Sequence, residues 1–146
     1  MSILSSTNTG KLAFSPKTKE ELIKIIEDEI EKNGLNCSLN HINTSKITDM
    51  SYLFASSLFN GDISKWDVSR VTNMRRMFSY SHFTGENGGI SKWDVSRVKD
   101  MYEMFENSDF NSDVSDWVAD VGCSWGFMFF RCPIQSKYKP RFYKFD

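Results

Sequence analysis

An internal repeat is the feature that most constrains this chain. The block Ile-Ser-Lys-Trp-Asp-Val-Ser-Arg-Val begins at Ile63 and again at Ile90, and each copy continues into Met-x-x-Met-Phe. Degenerate copies precede and follow these two, so four units span most of the sequence. Self-similarity at a period of about 20 to 50 residues is typical of stacked repeat proteins. We therefore expect a repeat fold with an interaction surface rather than a catalytic pocket.

Three columns of residues define the register, and each has spacings of 24, 27 and 24 residues. The columns are Ile47, Val71, Val98 and Gly122; Leu53, Met77, Met104 and Met128; and Phe59, Phe83, Phe110 and Ile134. The extra residues of the middle unit fall between Phe83 and Ile90. Glycines there supply a turn, so we expect a surface loop.

Two periodicities alternate within each unit. Val71, Met74, Met77 and Phe78 recur at helical spacing, which predicts a helix of about two turns, and the stretch 63–68 has the alternation of a short strand. Aspartates such as Asp67 are expected to close the turn between them. The predicted fold is an α/β repeat solenoid of short-coil, leucine-rich-repeat-like units of about 24 residues. The tryptophans of the repeat should form a buried ladder: Trp66, Trp93 and Trp117.

The flanking segments are predicted to close the two ends of the stack. Thr18 and Glu21 form a capping box, Leu22, Ile23, Ile26 and Ile30 share one helical face, and Asn33-Gly34 supplies a stop. We divide the chain into a flexible N-terminus (1–16), an N-terminal capping helix (17–36), the four-unit solenoid (37–134) and an aromatic C-terminal cap or tail (135–146).

Composition excludes several classes of function. The formal charge of -1 gives no overall attraction to nucleic acid, and no apolar run is long enough to span a membrane. No signal peptide or lipidation motif is visible, and three cysteines without C-x-x-C spacing favour a reduced cytoplasmic protein. Pairing of Cys123 with Cys132 is the alternative for a secreted protein.

No catalytic or metal-binding pattern stands out. His41 and His82 occupy non-equivalent positions without a partner at motif spacing, and no nucleotide-binding or zinc-protease string occurs. The repeated aspartates lack the glycine-dense spacing of calcium-binding repeats. We expect no enzyme activity, no cofactor and no metal.

Function is expected in the outward columns that change from unit to unit. The hypothesis is a noncatalytic protein-binding strip, since tyrosine and arginine are enriched in binding hot spots. Its residues are Tyr52, Arg75, Arg76, Tyr80, His82, Tyr102 and Glu103. The alternative interpretation is that the residues in these columns differ between units only because exposed positions are free to vary.

The tail is a second candidate because aromatic and basic residues interleave there: Lys137, Lys139, Arg141, Phe142, Tyr143 and Lys144. Such a pattern suits stacking and phosphate contact on single-stranded nucleic acid. A cap on the last unit is the favoured interpretation, and a homodimer through the C-terminal end is a further alternative.

The string from Phe59 to Phe78 resembles the repeat of the BspA-like leucine-rich-repeat surface proteins, catalogued also as a domain of unknown function in mycoplasma lipoproteins. The resemblance covers roughly 17–129. It implies surface or secreted proteins with adhesion as the proposed role and no catalytic residues. A small phage- or mobile-element-type inhibitor that binds a bacterial host or defence protein is the alternative.

Overall fold

The computed structural model describes residues 13–143 and contains very little regular secondary structure. Within that range one α-helix, α1, spans Lys19–Asn33, and one 3-10 helix spans Ser136–Tyr138. The predicted α/β solenoid of leucine-rich-repeat-like units is therefore wrong. In place of a helix and a strand, each described repeat consists of turns, and isolated parallel bridges join neighbouring repeats.

Lateral hydrogen bonds explain why the predicted repeat helix does not form. In the segment 74–80, alternate N–H groups donate to carbonyls of the next repeat: Met74 to Asp100, Arg76 to Tyr102, Phe78 to Met104 and Tyr80 to Glu106. Of the intervening N–H groups, those of Met77 and Ser79 donate to the carbonyls three positions earlier, and that of Arg75 donates to Asn73 Oδ1. An α-helix needs every N–H to reach the carbonyl four residues back, so these donors are already committed.

The predicted strand over 63–68 is likewise replaced by turns. The Trp66 amide donates to the carbonyl of Ile63 at 3.2 Å, which bends the chain where a strand would be extended. The Asp67 carboxylate accepts from the amide of Ser69 at 2.9 Å and from its hydroxyl at 2.6 Å. The expected turn-closing role of Asp67 is therefore confirmed, although the elements that it was expected to connect are absent from the described repeats.

A ladder of stacked aromatic rings confirms the register. Phe54, Phe78, Phe105 and Phe129 follow the spacings 24, 27 and 24, with successive ring centroids 5.6, 5.3 and 5.5 Å apart and nearly parallel planes. Trp66, Trp93 and Trp117 are all buried, and the Trp93 and Trp117 rings stack at 6.3 Å. The core is thus a series of like-on-like layers, one per repeat.

Helix α1 packs over the N-terminal end of this core. Thr18 accepts from the Glu21 amide at 3.1 Å, as predicted, whereas the Glu21 carboxylate accepts from the amide of Lys17 instead of that of Thr18. The buried face is Leu22, Ile25, Ile26 and Glu29, so Ile25 and Glu29 replace the predicted Ile23 and Ile30, which are half-buried. The Glu29 carboxylate is satisfied by His41 Nε2 at 2.6 Å.

The chain entering α1 is paired with the first repeat. Ala13 donates to the carbonyl of His41, and Phe14 forms a parallel bridge with Ile42. The remainder of the predicted flexible N-terminus, residues 1–12, lies outside the described residues.

Candidate functional site

Four equivalent turn segments form one face of the stack, which we call the turn face: residues 51–56, 75–80, 102–107 and 126–131. Two backbone positions of each segment have positive φ, between 52° and 59°. They are Tyr52, Arg76, Glu103 and Phe127 in one column, and Ser56, Tyr80, Asn107 and Arg131 in the other. Positive φ is the rule at the third residue of type II turns, so the turns dictate these positions although no glycine occupies them.

Large apolar side chains are exposed on the turn face. The exposed fraction is 49% for Tyr52, 59% for Tyr80, 56% for Phe127 and 43% for Phe130. The Phe127 ring lies edge-on to Tyr102 at 6.1 Å and to Phe130 at 5.8 Å. Exposed aromatic clusters of this kind mark binding surfaces because their burial in a complex is favourable.

A charged cluster occupies the middle of the turn face. The Arg76 guanidinium pairs with Glu103, whose residue is only 7% exposed. This pairing raises the pKa of Arg76. Burial, followed by the neighbouring Glu103 carboxylate, raises the pKa of Glu106, which also accepts from the Ser79 hydroxyl at 3.2 Å. Arg76 and Glu103, both predicted to contact a partner, are thus brought together and bind each other.

The predicted residues Arg75 and Tyr102 also contact each other. The Arg75 guanidinium lies 4.4 Å from the centroid of the Tyr102 ring and 3.6 Å from the Asp100 carboxylate. A side chain added at Gly126 would come within 3.2 Å of the Tyr102 ring. The glycine therefore makes room for Tyr102, which extends from the third repeat over the fourth.

Tyr80 and His82, the other members of the predicted strip, are exposed at its edge. Tyr80 projects from a positive-φ position, and His82 Nδ1 lies 3.2 Å from the Asp109 carboxylate with both side chains more than half exposed. The structure therefore divides the predicted strip into two sets. Tyr52 and Tyr80 are exposed, while Arg75, Arg76, Tyr102, Glu103 and His82 make ionic or ring contacts within the chain.

Sequence reasoning missed Phe127 and Phe130. Phe127 shares its column with Tyr52, Arg76 and Glu103, and Phe130 shares a column with Ala55, Ser79 and Glu106. The available signal for Phe130 was an aromatic residue in a column that is otherwise polar or small, and for Phe127 a second aromatic residue in the column of Tyr52. It was obscured because the fourth unit is the most degenerate copy and is rich in aromatics throughout.

Some of the predicted tail residues pack against the last repeat, and others are exposed. The Tyr143 ring lies edge-on to Trp125 and Phe129 at 5.1 Å each, and Phe142 is 6.4 Å from Trp125. Lys137 and Arg141 are exposed, and the Lys139 ammonium is 5.5 Å from the centroid of the Tyr143 ring. Lys144 lies outside the described residues. The described tail aromatics thus pack against the last repeat.

The cysteines are unpaired and are not activated as nucleophiles. All three are free thiols. Burial raises the pKa of Cys123 to about 11 and raises the pKa values of Cys37 and Cys132. A nucleophilic cysteine needs a lowered pKa, so these thiols have the opposite property. Across residues 13–143, no three His, Cys, Asp or Glu side chains converge as metal ligands.

Fold and site together define a class: a protein of stacked, turn-rich repeats with an aromatic face and a charged cluster at its centre. The chain belongs to the family described as "Mycoplasma protein of unknown function, DUF285", whose match covers residues 25–139. That match is to the mycoplasma-type domain and does not extend to the narrower BspA-like leucine-rich-repeat assignment. Comparison with curated proteins and comparison with solved structures each found no match. No helix in the described range is long and apolar enough to cross a membrane.

Proposed function

We propose that this chain is a noncatalytic interaction module that binds another protein through the turn face. The supporting observation is the set of four aromatic side chains, Tyr52, Tyr80, Phe127 and Phe130, which are 43% to 59% exposed on three columns of the turn face. Aromatic residues contribute a large share of the binding free energy in protein interfaces, and the rigid stack holds these rings without an entropic cost of ordering loops.

The charged cluster adds specificity to this surface. Since Arg76 and Glu103 are already paired, a partner meets a neutral pair instead of two free charges. Arg75 is 40% exposed beside the Tyr102 ring and remains accessible for a further hydrogen bond. Both an inhibitor of a bacterial host or defence protein and a surface adhesin would act by such binding, so partner capture is the first measurement.

Affinity purification with matched variants tests the proposal. The tagged chain is incubated with lysate of its source cells beside the double variant Tyr52→Asn/Phe127→Asn, since asparagine tolerates positive φ. The control is Val118→Ser/Val121→Ser, which removes exposed apolar groups (73% and 105% exposed) from a loop away from the turn face. We expect a stoichiometric partner that survives the control and is lost with the double variant. A partner indifferent to the double variant would contradict a turn-face interface.

A further inference from the structure

The turn segment of the fourth repeat carries a row of main-chain donors that the earlier repeats use to bind the repeat after them. In the third repeat, for example, the Glu103 amide donates to the carbonyl of Gly126 at 2.9 Å. The equivalent donors of the fourth repeat, which we call the end row, are the N–H groups of Trp125, Phe127, Phe129 and Arg131. None of these four donates to an atom in the described part of the chain.

The end row has the orientation that would bind a fifth repeat. Phe127 and Arg131 have φ of 53° and 57°, against 54° at both Glu103 and Asn107 one repeat earlier. The turn bonds also recur, because residues 128 and 130 donate to the carbonyls of 125 and 127 just as 104 and 106 donate to those of 101 and 103. With the same turns, the alternate N–H groups point away from the third repeat. Main-chain carbonyls of a partner can therefore continue the ladder.

The C-terminal tail closes the core at this end but does not satisfy the end row. The Tyr143 ring lies edge-on to Phe129, at 5.1 Å and 86°, on the ring against which the earlier repeats stack a parallel one. In the described part of the tail, residues 132–143, no carbonyl accepts from the end row. The inward place of a fifth repeat is thus filled by the tail, whereas its main-chain place is open.

A cleft of about 590 Å³ lies against the end row. All four residues of the row line it, so the main-chain donors and the cleft share one wall. The rings of Phe127 and Phe130, 56% and 43% exposed, also line it, together with Tyr143 of the tail. The cleft therefore combines main-chain donors with exposed apolar surface. Exposed sheet edges bind an added peptide segment through the same combination.

We propose that the end row binds a turn segment of another protein, which adds a fifth layer to the stack. The segments that occupy the equivalent row inside the chain define what fits: 73–79, 100–106 and 124–130. The partner segment needs carbonyls at every second residue and two positions that tolerate positive φ. Its inward side chains must be small because Tyr143 fills the core, and an apolar side chain should face Phe130. The inference specifies the partner chemistry of the proposed interaction module and so rests on that function.

A second copy stacked end to end fits the row less well. Its acceptor for the Phe127 N–H would be the carbonyl of Ser51, the residue equivalent to Gly126. That carbonyl already accepts from Lys19 Nζ at 3.2 Å, and α1 packs over this end of the core. Two C-terminal ends related by two-fold symmetry would place donors against donors. A segment of another protein is therefore the better occupant.

The probe is a fluorescein-labelled octapeptide, Asp-Ala-Tyr-Asn-Ala-Ala-Leu-Gly, which follows the turn segment 100–107. Alanine replaces the three inward residues, asparagine and glycine occupy the two positive-φ positions, and leucine takes the position that faces Phe130. In nuclear magnetic resonance spectra, we expect the end-row amide protons to shift downfield and to exchange more slowly with solvent. The Glu103 and Asn107 amides, whose acceptors lie within the chain, should not change. An end row that the peptide leaves unchanged would overturn the proposal.

A second peptide tests whether binding needs the turn conformation. It carries valine at the two positive-φ positions and is otherwise identical. We expect it to bind about tenfold more weakly in fluorescence anisotropy, because β-branched residues disfavour positive φ. Equal affinity of the two peptides would contradict a docked turn segment.

Protein variants place the peptide on the cleft. Phe130→Ser, which copies Ser79 of the same column, should weaken binding roughly threefold. The control Leu58→Ser removes an apolar side chain that is 58% exposed on the first repeat, and it should leave the affinity unchanged. The reverse order would overturn the proposal. So would self-association in sedimentation velocity that protects the end-row amides without peptide. If a lysate partner is captured by the turn face while the peptide fails, the interaction module stands and only this inference falls.

Discussion

Trp93 Nε1 donates a 3.2 Å hydrogen bond to the main-chain carbonyl of Ile63 in the preceding repeat. Trp66 and Trp117 make the same bond to Leu39 and Ile90, at 2.9 and 3.0 Å. Each tryptophan therefore joins two repeats through its ring and through its indole N–H. The repeated tryptophan is a polar as well as an apolar link in the stack.

Replacing Trp93 should separate these two contributions. We expect Trp93→Ala to lower the free energy of unfolding by about 3 to 5 kcal/mol, because it empties a buried site. Trp93→Phe keeps a ring but removes one of the two hydrogen bonds that the Ile63 carbonyl accepts, the other coming from the Trp66 amide, and should cost about 0.5 to 1.5 kcal/mol. Urea denaturation followed by circular dichroism measures both. Similar small losses for the two variants would mean that the ring does not pack between repeats.

The positive-φ positions should reject β-branched residues. Tyr80 has φ of 58°, and a branched side chain there clashes with the backbone, so Tyr80→Val should destabilise by about 1 to 2 kcal/mol. Leu58→Val is the matched control, since Leu58 is 58% exposed and Tyr80 59%, and its change should stay within about 0.5 kcal/mol. Thermal unfolding compares the two, and equal melting temperatures would contradict the turn geometry.

The carboxylate pair beside Arg76 should make stability depend on pH. The pKa of Glu106 is raised above its ordinary 4.5, so its charged form is disfavoured in the folded state. That penalty is present above the folded-state pKa and is relieved as pH falls through it. Glu106→Gln should therefore raise the melting temperature at pH 7 and lose this advantage below pH 4.5. The opposite sign at pH 7 would show that Arg76 stabilises both carboxylates.

The turn-closing aspartates should produce acid sensitivity of the opposite sign. Hydrogen bonds from the side chain and amide of Ser69 lower the pKa of Asp67 below its ordinary 3.8, and Asp94 behaves likewise with Ser96. A depressed pKa contributes stability above pH 3.8 that is lost as pH falls through the folded-state value. Asp67→Asn keeps an acceptor and should flatten this part of the pH profile, whereas Asp67→Ala should lose the turn contact at every pH. If both variants unfold at the same acidic pH as the original chain, the Asp67 carboxylate is not a source of the acid sensitivity.

The sequence alone did not predict the ion pair that Arg76 makes within the chain. The sequence places it in an outward column beside Arg75, which made it a candidate for free contact with a partner. Its partner Glu103 lies 27 residues further along the chain, at the equivalent position of the next repeat. Pairing between neighbouring units depends on which outward residues share a column and face each other. The repeat register places Arg76 and Glu103 in one column, but only the structure shows that their side chains bind each other.

Local residue order was enough to establish the repeat register, the inward columns and the helix start at Thr18, because apolar spacing and capping chemistry are properties of short segments. The stacked Phe54 and Phe78 rings and the Thr18 cap follow those predictions. The conformation of each repeat, in contrast, became clear only in three dimensions. The amides of Met74, Arg76 and Phe78 belong to a segment with helical apolar spacing, yet they bond sideways to the next repeat. Whether these amides bond within their own segment or to the next repeat depends on the position of the neighbouring unit. The sequence of one segment therefore cannot decide the conformation of that segment.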